Sequence, residues 1–155
     1  MKAYKFSVFA AAMSCVLTAN AQPYEGDLLL NGGVNVFQFN LKANTLTIKF
    51  FEPVRFGFDL NYFAADRFAI SGGFEYTDLD KSSAAALGLR LFLSETIFLR
   101  SKGYYFFGRD KKPLDISFGF GNDFMLSDHW AVEANADYYV QLNAFVFRLG
   151  MGVFF

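Results

Sequence analysis

Ser127, His129 and Glu133 lie close together in the chain and carry the hydroxyl, imidazole and carboxylate from which a nucleophilic site can be built. A hydroxyl becomes a nucleophile when a base stands within hydrogen-bond reach and an acid orients that base. His129 is the only histidine, so the base of any such site would be this residue. Its surroundings point elsewhere. Ser127-Asp128-His129 reads as a tight polar turn beside Trp130, so a solvated turn histidine is expected and no catalytic residue is assigned.

Other chemistry has less support. One histidine and scattered carboxylates give neither zinc-site nor EF-hand spacing. Asp78-Leu79-Asp80 reads as a solvated loop with weak calcium affinity at most. Asn31-Gly32-Gly33 lies inside a predicted strand with no helix following to present its N-terminus to a phosphate, and strand glycines of this kind relieve crowding at a curved wall. No metal and no cofactor are expected. The single cysteine, Cys15, leaves no disulfide framework.

The charged residues carry the stronger pattern, because they recur on one face of alternating strands. Lys49, Arg55, Arg67, Arg90, Arg100, Lys102 and Arg148 share that face with Asp27, Asp59, Glu75, Asp115, Asp123, Glu133 and Asp137. Balanced signs on a common face predict internal ion pairs, since an isolated buried charge is costly. The candidates for these pairs are Arg55, Asp59, Arg67, Glu75, Arg90, Arg100, Asp115, Asp123, Glu133, Asp137 and Arg148.

Eight strands must position them, near 27–39, 45–63, 67–77, 83–93, 96–107, 114–126, 130–141 and 144–155. Leu87, Leu89, Leu91 and Leu93 alternate with Ala86, Gly88, Arg90 and Phe92; Leu114, Ile116, Phe118, Phe120 and Phe124 alternate with Asp115, Ser117, Gly119, Gly121 and Asp123. Period-2 alternation places the two sets on opposite faces. Gln38, Glu52 and Asn122 fall on the apolar face, and a bulge at Asn122 is expected to re-aim its side chain. Turns at 64–66, 93–95 and 127–129 are tight, whereas 41–44, 78–82 and 108–113 are longer and more charged, so the tight turns should face the periplasm. Trp130 and Tyr62 near one end, and Tyr76, Tyr104, Tyr105 and Tyr138 near the other, are expected to form aromatic girdles.

Composition fits the same architecture. The chain is 54% hydrophobic and 20% aromatic over 155 residues, yet beyond the N-terminus it holds no apolar run of the roughly 20 residues a spanning helix needs. A closed barrel resolves this, because each strand is apolar on one face only and closure satisfies every backbone polar group.

Lys2 and Lys5 precede the apolar run Phe6–Leu17, and Ala19-Asn20-Ala21 supplies small residues for cleavage, so residues 1–21 are expected to be a signal peptide. A lipoprotein reading of Ala12-Met13-Ser14-Cys15 lacks the usual leucine and precedes the better site. Removing Lys2 and Lys5 takes the 14 basic side chains to 12 against 15 acidic ones, a net charge of −3. That balance, with no basic stripe, argues against a nucleic-acid partner. Residues 22–155 are expected to be one barrel domain.

Two stretches carry a family resemblance. Arg148, Gly150, Val153 and Phe155, in a terminal strand ending on an aromatic residue, resemble the signal by which the barrel-assembly machinery recognises outer-membrane barrels. The hairpin 53–76, from Pro53-Val54-Arg55-Phe56-Gly57-Phe58 to Gly73-Phe74-Glu75-Tyr76, is similar to those of OmpA-like and OmpX-like proteins. The resemblance implies an all-β, eight-stranded, antiparallel transmembrane barrel of up-and-down topology, outer-membrane localisation, contact with outer-membrane lipids, and a monomer. An interior of this size is just wide enough for its own side chains, so a structural or surface-interaction role is expected. A narrow pore or lipid-handling barrel is the alternative. Lipid A deacylases resemble this architecture too, but their motif of a histidine followed two places later by serine is absent, since Ala131 stands there. A soluble lipocalin-type barrel would need the reverse arrangement, apolar inside and polar outside.

Overall fold

The computed structural model describes residues 23–42, 45–51, 54–78, 81–108 and 113–155. The expected signal peptide, Cys15, Glu52 and Asp80 lie outside the described residues. The elements are β1 (Leu28–Lys42), β2 (Thr45–Phe50), β3 (Arg55–Ala65), β4 (Phe68–Thr77), β5 (Ser82–Phe92), β6 (Ile97–Phe107), β7 (Leu114–Met125), β8 (Trp130–Tyr139) and β9 (Ala144–Phe154). Every pairing is antiparallel, consecutive strands from β3 to β9 are neighbours, and β9 returns to β1. β2 and β3 share one edge of β1, pairing with Phe37–Lys42 and Leu28–Val34 respectively, so the closed wall has eight positions.

The second predicted strand is therefore interrupted. Phe51 takes a left-handed backbone, φ 50°, and donates its N–H to the Val36 carbonyl at 2.8 Å. Opposite this break β1 carries a bulge, its pairing to β9 stepping from Asn35 directly to Phe37. The extra residue, Val36, resets the alternation. Gln38, expected outside, is turned into the interior and is buried. No bulge occurs at Asn122: the ladder to β8 runs through it unbroken at Ala134, the ladder to β6 reaches it at Ile97 without a register shift, and it stays on the outer face.

The seam between β1 and β9 closes by close backbone approach. A β-carbon on Gly150 would lie 2.2 Å from the Gly32 carbonyl oxygen. Phe155 finishes the seam, donating its N–H to the Leu28 carbonyl at 2.9 Å and accepting from the Leu28 N–H at 3.2 Å.

The outer face is apolar. Leu87 is 75% exposed, Phe120 59% and Phe58 55%. A continuous apolar exterior of this kind is what a lipid-facing wall presents, whereas a soluble domain rarely exposes more than a few hundred Å² in one patch. Trp130 and Tyr62 lie outside at the end bearing the turns near 66, 95 and 128, here called the lower end, and Tyr105 lies outside at the upper end. Tyr104 does not join them. It is 1% exposed inside the barrel, because period-2 alternation along β6 puts it on the same face as Arg100 and Lys102.

Candidate functional site

Inside the wall, three layers follow one another. At the lower end Leu29, Phe63, Ala69, Phe92, Phe98, Met125, Ala131 and Phe154 form an apolar cap. At the upper end Ala84, Ala86, Tyr104, Phe106, Tyr139 and Val146 form a second, with Leu142 packed against it. Between them lies a belt of buried charge.

The belt is organised around Glu133 on β8. One of its oxygens accepts from Arg90 Nη2 of β5 at 2.6 Å and from Asn31 Nδ2 of β1 at 2.9 Å, and the other from Arg100 Nη1 at 3.2 Å. Arg90 also reaches Asp123 at 3.5 Å, and its guanidinium lies 4.0 Å from the centroid of the Phe98 ring. That contact joins the belt to the lower cap. Arg100 holds Asp137 in a two-pronged arrangement, Nε donating to Oδ1 at 2.7 Å and Nη2 to Oδ2, and also donates to Asn135 at 2.6 Å. Such planar, bidentate pairing suits arginine.

Two further pairs cross the lumen. Lys102 on β6 binds Asp59 on β3, and Arg148 on β9 binds Glu75 on β4 at 2.6 Å. Arg148 additionally donates to Asn35 at 3.1 Å and to the Tyr139 hydroxyl, which donates onward to Tyr104 at 3.2 Å. Asn61 extends the network, donating to Asn31 at 2.6 Å and to the Leu29 carbonyl at 3.1 Å. Ions held on opposite walls in this way tie the barrel across its width.

Glycines make room for these groups. Gly57 stands opposite Glu75, Gly73 opposite Asp59, Gly88 opposite Lys102, Gly119 opposite Asp137 and Gly150 opposite Glu133. A β-carbon at Gly73 or Gly119 would lie 2.1 Å from the facing aspartate oxygen. The sequence shows glycines and charges sharing a face, but their pairing across strands depends on register.

Several expected members stand apart. Arg67 is exposed: it is a turn residue with φ 65°, and this left-handed step takes it out of the alternation that placed it inside. Asp27 precedes β1 and caps its own turn, accepting from the Tyr24 N–H at 2.8 Å. Asp115 is buried but makes no ion pair among the described residues; its Oδ1 accepts from the Ile116 and Gln141 amides at 2.8 and 2.9 Å and so holds the upper β8–β9 turn. Arg55 is buried with its guanidinium 4.8 Å from the Tyr139 ring centroid, and its Nε and Nη1 have no hydrogen-bond partner among the described residues. Lys49 is half-buried opposite Gln38. Of the terminal-strand signal residues, Arg148 joins the belt, Gly150 the seam, Val153 is half-buried, and Phe155 is exposed.

Ser127, His129 and Glu133 are not brought together. Ser127 and His129 are exposed in the lower turn, where the serine hydroxyl accepts from the His129 and Trp130 amides at 3.4 and 3.2 Å. Glu133 faces the lumen and is engaged by two arginines. Among the described residues no group of three or more metal-ligating side chains occurs.

A closed eight-position meander with a charged interior and an apolar exterior is the fold of the small OmpA/OmpX-like outer-membrane barrels. The chain is similar to the N-terminal β-barrel domain of Pseudomonas aeruginosa OprF, with TM-score 0.63 and 11% identity over 86% of this chain and 100% of that one. It is similar also to Ail, the attachment invasion locus protein of Yersinia pestis, with TM-score 0.55 and 16% identity over 84% and 99%. A de novo designed transmembrane β-barrel gives TM-score 0.65 and 10% identity over 86% and 99%. No protein-family model and no curated protein matches the chain. At these identities the likeness is one of fold.

Proposed function

We propose that this chain is an integral outer-membrane barrel protein with a structural or surface-interaction role and a side-chain-filled interior. The observation that carries the reading is the set of ion pairs Arg90–Glu133, Lys102–Asp59 and Arg148–Glu75, each joining non-neighbouring strands across the lumen. A water-filled conduit would require them to separate, giving up the short charge-assisted hydrogen bonds that hold them across the lumen. The apolar caps would have to open as well. Neither condition favours a pore. Ail, an attachment invasion locus protein of the same fold, supports the surface-interaction half of the reading.

In this reading residues 1–21 direct export and are cleaved after Ala21, and outer-membrane lipids cover the apolar exterior. The barrel-assembly machinery recognises the terminal strand through Arg148, Gly150, Val153 and Phe155. No catalytic step is assigned, because Glu133 is buried in the lumen and engaged by two arginines, whereas Ser127 and His129 are exposed in the lower turn.

Outer-membrane fractionation of native cells, electrophoresis of boiled and unboiled samples, and planar-bilayer recording test this together. The expected result is an outer-membrane protein whose mobility shifts on boiling and which gives no steady channel. Steady, voltage-independent currents of nanosiemens size overturn the filled interior. Recovery as a soluble protein without a shift overturns the membrane reading.

A further inference from the structure

Arg90, Arg100, Lys102 and Arg148 each hold a carboxylate inside the barrel. Arg55, 2% exposed, holds none among the described residues, and its Nε and Nη1 have no hydrogen-bond partner there. A guanidinium cannot shed its proton in a protein, so Arg55 is buried as a full charge. An unpaired buried charge is very costly.

Other unpartnered groups gather around it. Of the eight buried side-chain atoms without a hydrogen-bond partner among the described residues, six belong to Asn35, Gln38, Arg55, Glu75 and Thr77. These residues share one stretch of inner wall. Thr77 on β4 stands directly opposite Arg55, and Asn35 on β1 is the next position beyond the Val34–Phe56 pair that joins β1 to β3. Native interiors leave few such atoms, and a concentration of them at one place calls for an occupant.

Charge gives the sign of that occupant. The guanidinium groups of Arg55 and Arg148 lie 4.8 and 5.8 Å from the centroid of the same Tyr139 ring, and the carboxylate beside them, Glu75, is hydrogen-bonded to Arg148. Asp115 makes no ion pair among the described residues, and its bonded oxygen is committed to the Ile116 and Gln141 amides. Donors are in place as well. Arg148 Nε donates to Asn35 Oδ1 at 3.1 Å, which fixes the amide with Nδ2 unpartnered, and the Thr77 hydroxyl is unpartnered too. The two remaining atoms, Gln38 Oε1 and Glu75 Oε2, are acceptors that water can serve.

We propose that Arg55, with Asn35 and Thr77, forms a binding site for a small inorganic anion in the upper half of the lumen, and that chloride occupies it. An eight-stranded interior is just wide enough for its own side chains, so the ligand has to be about the size of a water molecule, as chloride is. The anion supplies Arg55 with the counter-charge that the chain does not, and so completes the belt toward the upper end. The inference rests on the filled-barrel reading.

Urea unfolding of the whole barrel in lipid vesicles tests it, with chloride exchanged for gluconate at constant ionic strength so that general screening is held fixed. A ligand that binds only the folded state raises the midpoint, by roughly 0.5 M urea at a tenfold excess over its dissociation constant. Arg55→Met should remove the rise, and Thr77→Val, which keeps the charge, should raise the half-saturating chloride concentration about tenfold, the loss of one hydrogen bond to an ion. Lys81→Gln, exposed at the same end, should leave the rise unchanged. In crystals grown with bromide, anomalous scattering should place the ion beside Arg55. Equal midpoints in chloride and gluconate overturn the site, as does a chloride effect that survives Arg55→Met or a bromide peak found only elsewhere. Loss of the heat shift on electrophoresis in the native protein counts instead against the barrel reading.

Discussion

Gly119 stands directly opposite Asp137 on the neighbouring strand, and a β-carbon there would lie 2.1 Å from the aspartate oxygen. Asp137 is thereby free to take both prongs of Arg100. Gly119→Leu should push the carboxylate from that position and lower stability by about 1–3 kcal/mol, the cost of overpacking. Gly103→Leu, outside the barrel with its nearest neighbour 4.0 Å from the added carbon, should cost much less. Urea unfolding of both variants in lipid vesicles checks the contrast; equal midpoints would remove the spatial argument.

Glu133 answers two guanidinium groups at once. Glu133→Leu leaves Arg90 and Arg100 without a shared carboxylate and should destabilise the barrel by about 3–5 kcal/mol. Glu133→Gln keeps acceptor capacity for one of them and should cost less. The order Leu worse than Gln, read from unfolding midpoints, is the expected outcome, and equal effects would mean that the charge itself contributes little.

The bulge at Val36 resets the faces of β1. Deleting Val36 joins Asn35, which faces inward, to Phe37, which faces outward, so Gln38 remains inside and the alternation becomes regular. The shortened protein should still fold to a heat-shifted barrel. Deleting Leu30, in the unbulged part of the strand, moves one side of β1 onto the wrong face and should abolish folding. A folded Leu30 deletion would show that the register of β1 is weakly specified.

His129→Ala and Ser127→Ala should leave the acylation pattern of lipid A unchanged, since both residues occupy an exposed turn away from Glu133. Mass spectrometry of lipid A from cells expressing each variant reads this directly. An altered acyl-chain number in cells expressing the native protein, lost in either variant, would reinstate an enzymatic reading.

Period-2 alternation was legible strand by strand because it is local: a residue two places along always returns to the same face. Arg90, Arg100 and Arg148 could therefore be assigned to the interior without knowing their neighbours, and so could Asp123, Glu133 and Asp137. Arg67 and Gln38 could not, because a left-handed turn residue and an inserted residue each shift the count by one. Asn122 was misread in the opposite direction. A polar residue on an apolar face suggested a bulge, whereas the ladder there is regular.

By itself the sequence determined the class of fold, the number of wall positions, and the sign of the two faces, apolar outward and charged inward, through patterning within each strand. The tertiary structure alone decided which charges meet across the lumen, which glycine faces which carboxylate, and where the second strand breaks. Register between strands is set by turns and bulges, and contacts across the lumen by closure of β9 onto β1. Both relationships join residues far apart in the chain, so no local period encodes them.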